Sequence, residues 1–133
     1  MSTMTAAEYH AKCDSEMTEE EHQIRLFNEL GILAVNNPVF DDIFHIPNGG
    51  HRHKATAGKM KAAGVKSGIP DIFVAVARYG FHGAFIELKS LKLARLSHSQ
   101  KMWIAKLNSN GYRVYVCYGW REALKAIKEY LAE

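Results

Sequence analysis

The chain has 133 residues, enough for a single domain with a hydrophobic core of ordinary size. Apolar residues make up 47% and charged residues 23%, a balance typical of a soluble globular protein. The two cysteines stand far apart at no disulfide or metal-binding spacing, which favours a reducing compartment. No signal peptide and no membrane-spanning apolar run is recognisable, so we expect a cytoplasmic protein.

The net charge of +3 is unevenly distributed along the chain. Between residues 43 and 121 the only acids are Asp71 and Glu87, whereas the same window carries thirteen lysines and arginines. The other twelve of the fourteen acids lie in residues 1–42 and 122–133. A basic middle region favours a partner rich in phosphate, although a solvated charged face would give the same run.

The first part of the chain predicts two helices. We expect residues 1–17 to be a leader, helical from Ala6 to Cys13 and otherwise partly disordered, and residues 18–133 to be one domain. Thr18 and Glu21 have the capping-box spacing, which predicts a helix from there to about Gly31. Its apolar face is expected to comprise Ile24, Leu26, Phe27, Leu30 and Ile32.

The next segment is irregular, with a short strand expected at residues 43–46 and a turn at residues 48–50. Residues 54–63 then have the composition of a helix, which Gly64 would end.

Two apolar runs around a loop with glycine at both ends, Gly80 and Gly83, predict a β-hairpin. Asp71 opens the first strand, and the second strand ends in Glu87 and Lys89, which share a face. Two carboxylates and an ammonium group are therefore expected on one surface of the sheet. The register stays open, because a slip of one residue would reverse a face. Asp71 as a strand cap and a plain Glu87–Lys89 ion pair would account for the same pattern.

The last third of the chain predicts helix, strand and helix. Ser97 and Gln100 repeat the capping-box spacing and start a helix that residues 110 and 111 end. Residues 112–118 alternate as a strand, and residues 120–131 form an amphipathic helix. Trp103 and Trp120 are expected in the core, and Cys117 is expected to be a buried apolar residue.

Two paired strands, a connecting helix and a further strand predict an α/β fold: a small mixed sheet flanked by helices.

The motifs resemble those of a nuclease family. The order Gly-x-Pro-Asp ending at Asp71, an apolar gap of fifteen residues, then Glu-x-Lys at residues 87–89 is similar to the PD-(D/E)xK nuclease core. With Ile-Pro-Asn-Gly-Gly at 46–50, the helical stretch at 55–64, Leu-Ser followed by Gln100, and Gly-Tyr-Arg-Val at 111–114, the series resembles the VRR-NUC family, the virus-type replication-repair nucleases. The resemblance spans roughly residues 18–128.

This resemblance implies a restriction-endonuclease-like core and a DNA endonuclease that depends on a divalent metal, Mg²⁺ or Mn²⁺. It further implies the stand-alone form of phages and prophages, which is similar to Holliday-junction resolvases, selects branched DNA and works as a homodimer.

The resemblance also assigns roles to particular residues. The metal ligands would be Glu19, Asp71, Glu87 and the backbone carbonyl of Leu88. The choice among Glu19, Glu20 and Glu21 for the helix ligand stays open. Lys89 and Gln100 would join Asp71 and Glu87 as catalytic residues. The residues expected to bind nucleic acid are Asn48, Arg52, Lys54, Lys59, Lys61 and Lys66.

Other interpretations remain open at this point. Gln100 could simply be part of a capping box. His51 and His53 could bind a metal, but no further ligand follows at zinc spacing. The chain as a whole could be a non-catalytic nucleic-acid-binding module, or a protein-interaction subunit of a replication complex.

Overall fold

The computed structural model describes residues 3–47, 54–92 and 94–132. The helices are α1 Ala6–Glu16, α2 Glu19–Ala34, α3 Lys54–Ala62, α4 His98–Ser109 and α5 Trp120–Leu131, with a short 3-10 turn at Pro38–Asp41. The strands are β1 Ile43–His45, β2 Ile72–Val74, β3 Ala84–Lys89 and β4 Arg113–Tyr118. Within these ranges, none of the helices combines the length and apolar character that crossing a bilayer requires.

The four strands form one mixed sheet in the order β1-β2-β3-β4. β1 pairs antiparallel with β2, and β2 pairs antiparallel with β3. β3 and β4 run parallel, and α4 connects them, since a parallel pair needs a crossover. The α/β fold with a small mixed sheet is therefore confirmed.

The hydrophobic core lies between one face of the sheet and two helices. Ile72 pairs with Ile86, and both side chains are fully buried on the core side. Their neighbours Phe73 and Phe85 point to the opposite face, where the two rings lie 4.6 Å apart. α2 and α5 contact each other and cover the core face, so β3 is buried almost along its whole length.

α2 begins at the predicted capping box, but its buried stripe differs from the expected one. Its fully buried positions recur every four residues, at His22, Leu26 and Leu30. Ile24 and Ile32 were predicted to be core residues and are instead 56% and 66% exposed. The prediction was wrong because the stripe runs through a histidine, which apolar counting skips.

α1 confirms the helix predicted at residues 6–13 and extends it to Glu16. It is attached to α5 through the buried Asp14, which accepts hydrogen bonds from Arg121 Nε at 2.6 Å and Trp120 Nε1 at 3.3 Å. Burial opposes the charge on Asp14, yet these bonds outweigh it and lower the pKa of the carboxyl. The fully buried His22 links the same elements, since Nε2 donates to the Asp14 carbonyl and Nδ1 accepts from the Trp120 N–H.

Two local expectations need correction. β2 ends at Val74, so the hairpin connection spans residues 75–83 rather than a tight glycine-bounded loop. Trp103 is only partly buried, with the Lys106 ammonium 5.0 Å from its ring, because α4 buries no residue completely. Trp120 and Cys117 are buried as predicted. The turn at 48–50 and the histidines at 51 and 53 lie outside the described residues.

Gly68 sets the distance between the segment before β2 and the start of α4. Its φ of +91° favours glycine, and a Cβ there would lie 2.6 to 2.9 Å from backbone atoms of Ser99 and Gln100. The Gly-x-Pro-Asp motif thus brings its own backbone against the first turn of α4.

We expect Gly68→Ala to destabilise the protein by more than the roughly 1–2 kcal/mol that positive-φ strain costs alone, because its Cβ would push α4 away. Gly64→Ala is the matched control, since Gly64 also has a positive φ, +104°, with nothing within 4 Å of its Cβ. Thermal unfolding of both variants measures the difference. Equal losses of stability would show that the close approach at Gly68 carries no weight.

Candidate metal centre

The sheet register brings the two isolated acids together. Ile72 pairs with Ile86, so Asp71, one residue before β2, comes beside Glu87. The Leu88 N–H donates a 3.0 Å hydrogen bond to Asp71 Oδ2, which fixes the carboxylate across the strand. The Asp71 carbonyl is held in turn by the Ile46 N–H at 2.6 Å. The position of Asp71 thus follows from backbone pairing on both sides.

The third acid of the cluster comes from the first turn of α2. One carboxylate oxygen each of Glu19, Asp71 and Glu87 lies within 4.8 Å of the others. Glu21 is engaged in the capping box, where its Oε1 accepts from the Thr18 N–H. Of the three glutamates left open by the sequence, Glu19 is therefore the one that the structure brings to the cluster. Glu20 lines the pocket beside it.

Burial and the close spacing of the three carboxyl groups favour their protonated forms. Burial raises the pKa of Glu87 to about 8, and the neighbouring Asp71 adds to the rise while Lys89 opposes it. Burial also raises the pKa of Asp71, although the Leu88 N–H bond limits the effect. The pKa of Glu19 is raised too, first by loss of solvent around its carboxylate. The cluster holds more negative charge than one lysine offsets.

Lys89 and Gln100 hold one side of the Glu87 carboxylate. Gln100 Nε2 donates to Glu87 Oε1 at 2.8 Å, and Lys89 Nζ lies 3.9 Å from the same oxygen. Lys89 Nζ also donates to Gln100 Oε1 at 3.4 Å. Glu87 is 2% exposed and Lys89 7%, so the pair is buried in the sheet surface. Both contacts are made to Oε1, so they do not occupy the second carboxylate oxygen of Glu87.

Gln100 has two tasks at once. Its Oε1 accepts from the Ser97 N–H at 2.8 Å, while its backbone N–H donates to Ser97 Oγ at 3.2 Å, which completes the predicted capping box. The same side chain contacts Glu87 and Lys89. A cap alone does not account for its contacts.

The cluster opens into a cavity of about 380 Å³ lined by Glu19, Glu20, Gln23, His45, Asp71 and Leu88. His45 was not foreseen from the sequence. Its Nδ1 lies 2.9 Å from the Asp71 carbonyl, and since a carbonyl only accepts, Nδ1 carries the hydrogen, which in a neutral imidazole leaves Nε2 as an acceptor. A histidine in a three-residue strand has no pattern of its own, so only the β1–β2 register could have indicated it. Leu88 borders the cavity, and its carbonyl as a ligand stays a prediction.

The residues expected to contact DNA are only partly described. Lys59, Lys61 and Lys66 are exposed around α3, as a phosphate-binding surface requires. Lys54 begins α3, and the structure describes its backbone only. Asn48 and Arg52 lie outside the described residues. Cys117 is buried, and burial raises the pKa of its thiol to about 12, which is unsuitable for a nucleophile.

Comparison with known proteins identifies the family. A family model described as the VRR-NUC domain matches residues 32–120, more than half of the chain. The chain belongs to the VRR-NUC family. A solved structure described as "VRR_NUC domain protein" superposes with a TM-score of 0.72 at 30% sequence identity, covering 86% of this chain and 88% of that one. No curated protein matches the chain.

The VRR-NUC match includes Asp71, Glu87, Lys89 and Gln100 but begins inside α2. Glu19 is therefore outside the matched range, and its place in the cluster depends on the geometry described above. Membership in this nuclease-related family implies DNA as a partner.

The donor set fits a hard divalent cation. Three carboxylates with raised pKa values within 4.8 Å of one another provide oxygen ligands and unneutralised charge. Mg²⁺ and Mn²⁺ take such ligands, whereas zinc sites are built mainly from cysteine and histidine.

The raised pKa values predict how the metal-free protein responds to pH. They favour protonated carboxyls in the folded state, and for Glu87 the stabilising contribution is present below about pH 4.5 and is lost as the pH rises towards 8. The shift of Glu87 corresponds to roughly 5 kcal/mol. Glu87→Gln mimics the protonated acid, so in EDTA it should match the wild type in melting temperature near pH 5 and exceed it at pH 8.

The exposed Glu129→Gln on α5 is the control and should follow the wild type at both pH values. Added Mg²⁺ should raise the melting temperature of the wild type at pH 8 more than that of Glu87→Gln. A constant difference between Glu87→Gln and the wild type from pH 5 to 8 would contradict a destabilising charge at Glu87.

The two tasks of Gln100 can be separated by substitution. Ser97→Ala and Gln100→Met each remove part of the capping box and should each cost about 1 kcal/mol of stability. Only Gln100→Met also removes the bond to Glu87, so only this variant should lower DNA cleavage strongly at temperatures where both are folded. Equal cleavage by the two variants would show that Gln100 acts only as a helix cap.

Proposed function

We propose that this chain is a divalent-metal-dependent endodeoxyribonuclease that hydrolyses phosphodiester bonds in branched DNA. The observation that carries the proposal is the meeting of Glu19, Asp71 and Glu87 within 4.8 Å beside the buried Lys89, in a chain of the VRR-NUC family. A protein that only bound DNA would gain nothing from three carboxylates placed where phosphate must approach.

Glu19, Asp71 and Glu87 would hold the metal, with the carbonyl of Leu88 as a further ligand. When bound, Mg²⁺ or Mn²⁺ would neutralise charge on the scissile phosphate and lower the pKa of a water molecule. Asp71 is suited to holding a ligand in place because the Leu88 N–H fixes its carboxylate.

Lys89 supplies a positive charge beside the carboxylates. Its ammonium donates to Gln100 and faces Glu87, which leaves a third N–H for the attacking water or a phosphate oxygen. Gln100 keeps Lys89 and Glu87 at a fixed separation by contacting both. His45, with Nε2 free to accept, can orient a water molecule in the same cavity.

The substrate class follows from the charges around the site. The window from residue 43 to 121 has thirteen cations against the two acids of the cluster, which suits contacts to the DNA backbone rather than to base edges. Selection of branched DNA, a homodimeric assembly, and a phage or prophage protein acting in the host cytoplasm are what the family resemblance adds. Solution mass decides the assembly.

The test is cleavage of a four-way junction, a flap and a linear duplex with Mg²⁺, Mn²⁺ or EDTA. We expect cleavage only with metal, and more than a hundredfold loss in Asp71→Asn and Glu87→Gln, beyond the 10- to 100-fold typical of a residue that only supports a ligand. DNA affinity in EDTA should not fall in either variant, because each removes a negative charge near the phosphates.

Glu129→Gln again serves as the matched control and should cut at the wild-type rate. Wild-type protein that binds DNA but leaves the junction, the flap and the duplex intact with both metals would instead identify a non-catalytic binding module. Cleavage that persists in both site variants would remove these carboxylates from the mechanism.

A further inference from the structure

A second cationic surface lies next to the candidate metal centre, at the start of α4. Between the end of β3 and the start of α4, a groove of about 460 Å³ is lined by Ala94, Arg95, Leu96, Lys101 and Tyr118. Arg95 and Lys101 are exposed, and among the described residues neither forms an ion pair with a carboxylate. Two unpaired cations around one groove favour an anionic ligand.

The sequence concentrates positive charge along this segment. From Lys89 to Lys101 a basic side chain recurs at every third position, through Lys92, Arg95 and His98, and no acid intervenes. Glu122 lies close by, with its Oε2 accepting from the Tyr118 backbone N–H at 3.2 Å, but it does not line the groove.

Two residues that line the groove are neighbours of the candidate catalytic groups. Lys101 follows Gln100, the residue that contacts both Glu87 and Lys89. Tyr118, on the opposite wall, is the β4 register partner of Lys89. A DNA strand whose scissile phosphate reached the metal centre would therefore pass into this groove.

One wall of the groove is aromatic. Tyr118 is 38% exposed, although β4 is otherwise mostly covered, and its hydroxyl donates to the Ala94 carbonyl at 3.3 Å. This bond anchors the ring against the segment that carries Arg95. A fixed aromatic ring with cations beside it is the combination that holds single-stranded nucleic acid, by stacking on a base and pairing with phosphates. A base inside a duplex cannot offer its face in this way.

We propose that this groove binds unpaired nucleotides of the cleaved strand, with Arg95 and Lys101 on the phosphates and a base against the Tyr118 ring. The proposal rests on the nuclease function proposed above. It assigns the preference for a branch to a particular surface: the single-stranded part of the branch occupies the groove, and the duplex part contacts the lysines around α3.

The test measures DNA binding in EDTA, so that catalysis is not required. Arg95→Gln/Lys101→Gln should weaken binding to a flap about tenfold and lower the slope of log affinity against log salt by about 1.4, the value for two single-strand phosphate contacts. The matched control is Lys125→Gln/Lys128→Gln on α5, which removes the same charge from exposed positions on the other side of the sheet and should change neither quantity.

Tyr118 provides a second, independent measurement. Tyr118→Ala should reduce the preference for a flap over a linear duplex about tenfold, as loss of one stacked base would. Tyr118→Phe keeps the ring and should retain most of the preference. If the alanine variant fails to fold, loss of the preference in Tyr118→Phe would contradict stacking on this ring.

The outcomes separate the two proposals. Groove variants that bind flap and duplex like the α5 control, in a protein that still cuts DNA, would overturn the groove and leave the nuclease intact. Wild-type protein with no salt-sensitive DNA affinity would overturn both.

Discussion

The central constraint in this structure is the electrostatic repulsion among three carboxylates that the fold brings within 4.8 Å of one another. Pairing of Ile72 with Ile86 places Asp71 beside Glu87, and the first turn of α2 adds Glu19. Strand pairing fixes the backbone beside two of the carboxylates, and the first turn of α2 carries the third, on the exposed Glu19. The single ammonium of Lys89 offsets only part of the charge, so burial and crowding raise all three pKa values. The folded chain therefore favours binding of protons or of a cation at these carboxylates.

The rest of the fold keeps these groups from relaxing. α2 and α5 bury the opposite face of β3, which prevents the strand from shifting relative to β2 and β4. Gly68 brings the chain before Asp71 against the start of α4, and Gln100 extends from that start to Glu87. The buried His22, one turn after Glu19 on α2, and the buried Asp14 of α1 both bond to Trp120 at the start of α5. Each of the three carboxylates is thus carried by an element that is attached to the core.

Much of this was accessible from the sequence, for physical reasons. Capping boxes are local, so Thr18 with Glu21 and Ser97 with Gln100 placed two helix starts to the residue. Acids excluded from a basic window marked Asp71 and Glu87, because only a function or a partner justifies buried charge there.

The features that the sequence did not predict depend on contacts between segments that are far apart in the chain. Ile24 and Ile32 look like core residues, but the buried side of α2 is decided by the sheet it contacts and passes through His22. Trp103 is only partly covered because α4 crosses the sheet without burying any residue fully. His45 reaches the centre through the β1–β2 register, which three residues of strand cannot specify alone. The choice of Glu19 likewise required the helix in place.

In the proposed nuclease, the double use of Gln100 links catalysis to the most easily opened part of α4. Helix ends fray at far lower free energy than whole domains unfold, and here the residue that closes the first turn also aligns Glu87 with Lys89. Warming would loosen that turn while the sheet and the α2–α5 core are still intact. Thermal inactivation would then precede denaturation, with activity returning on cooling.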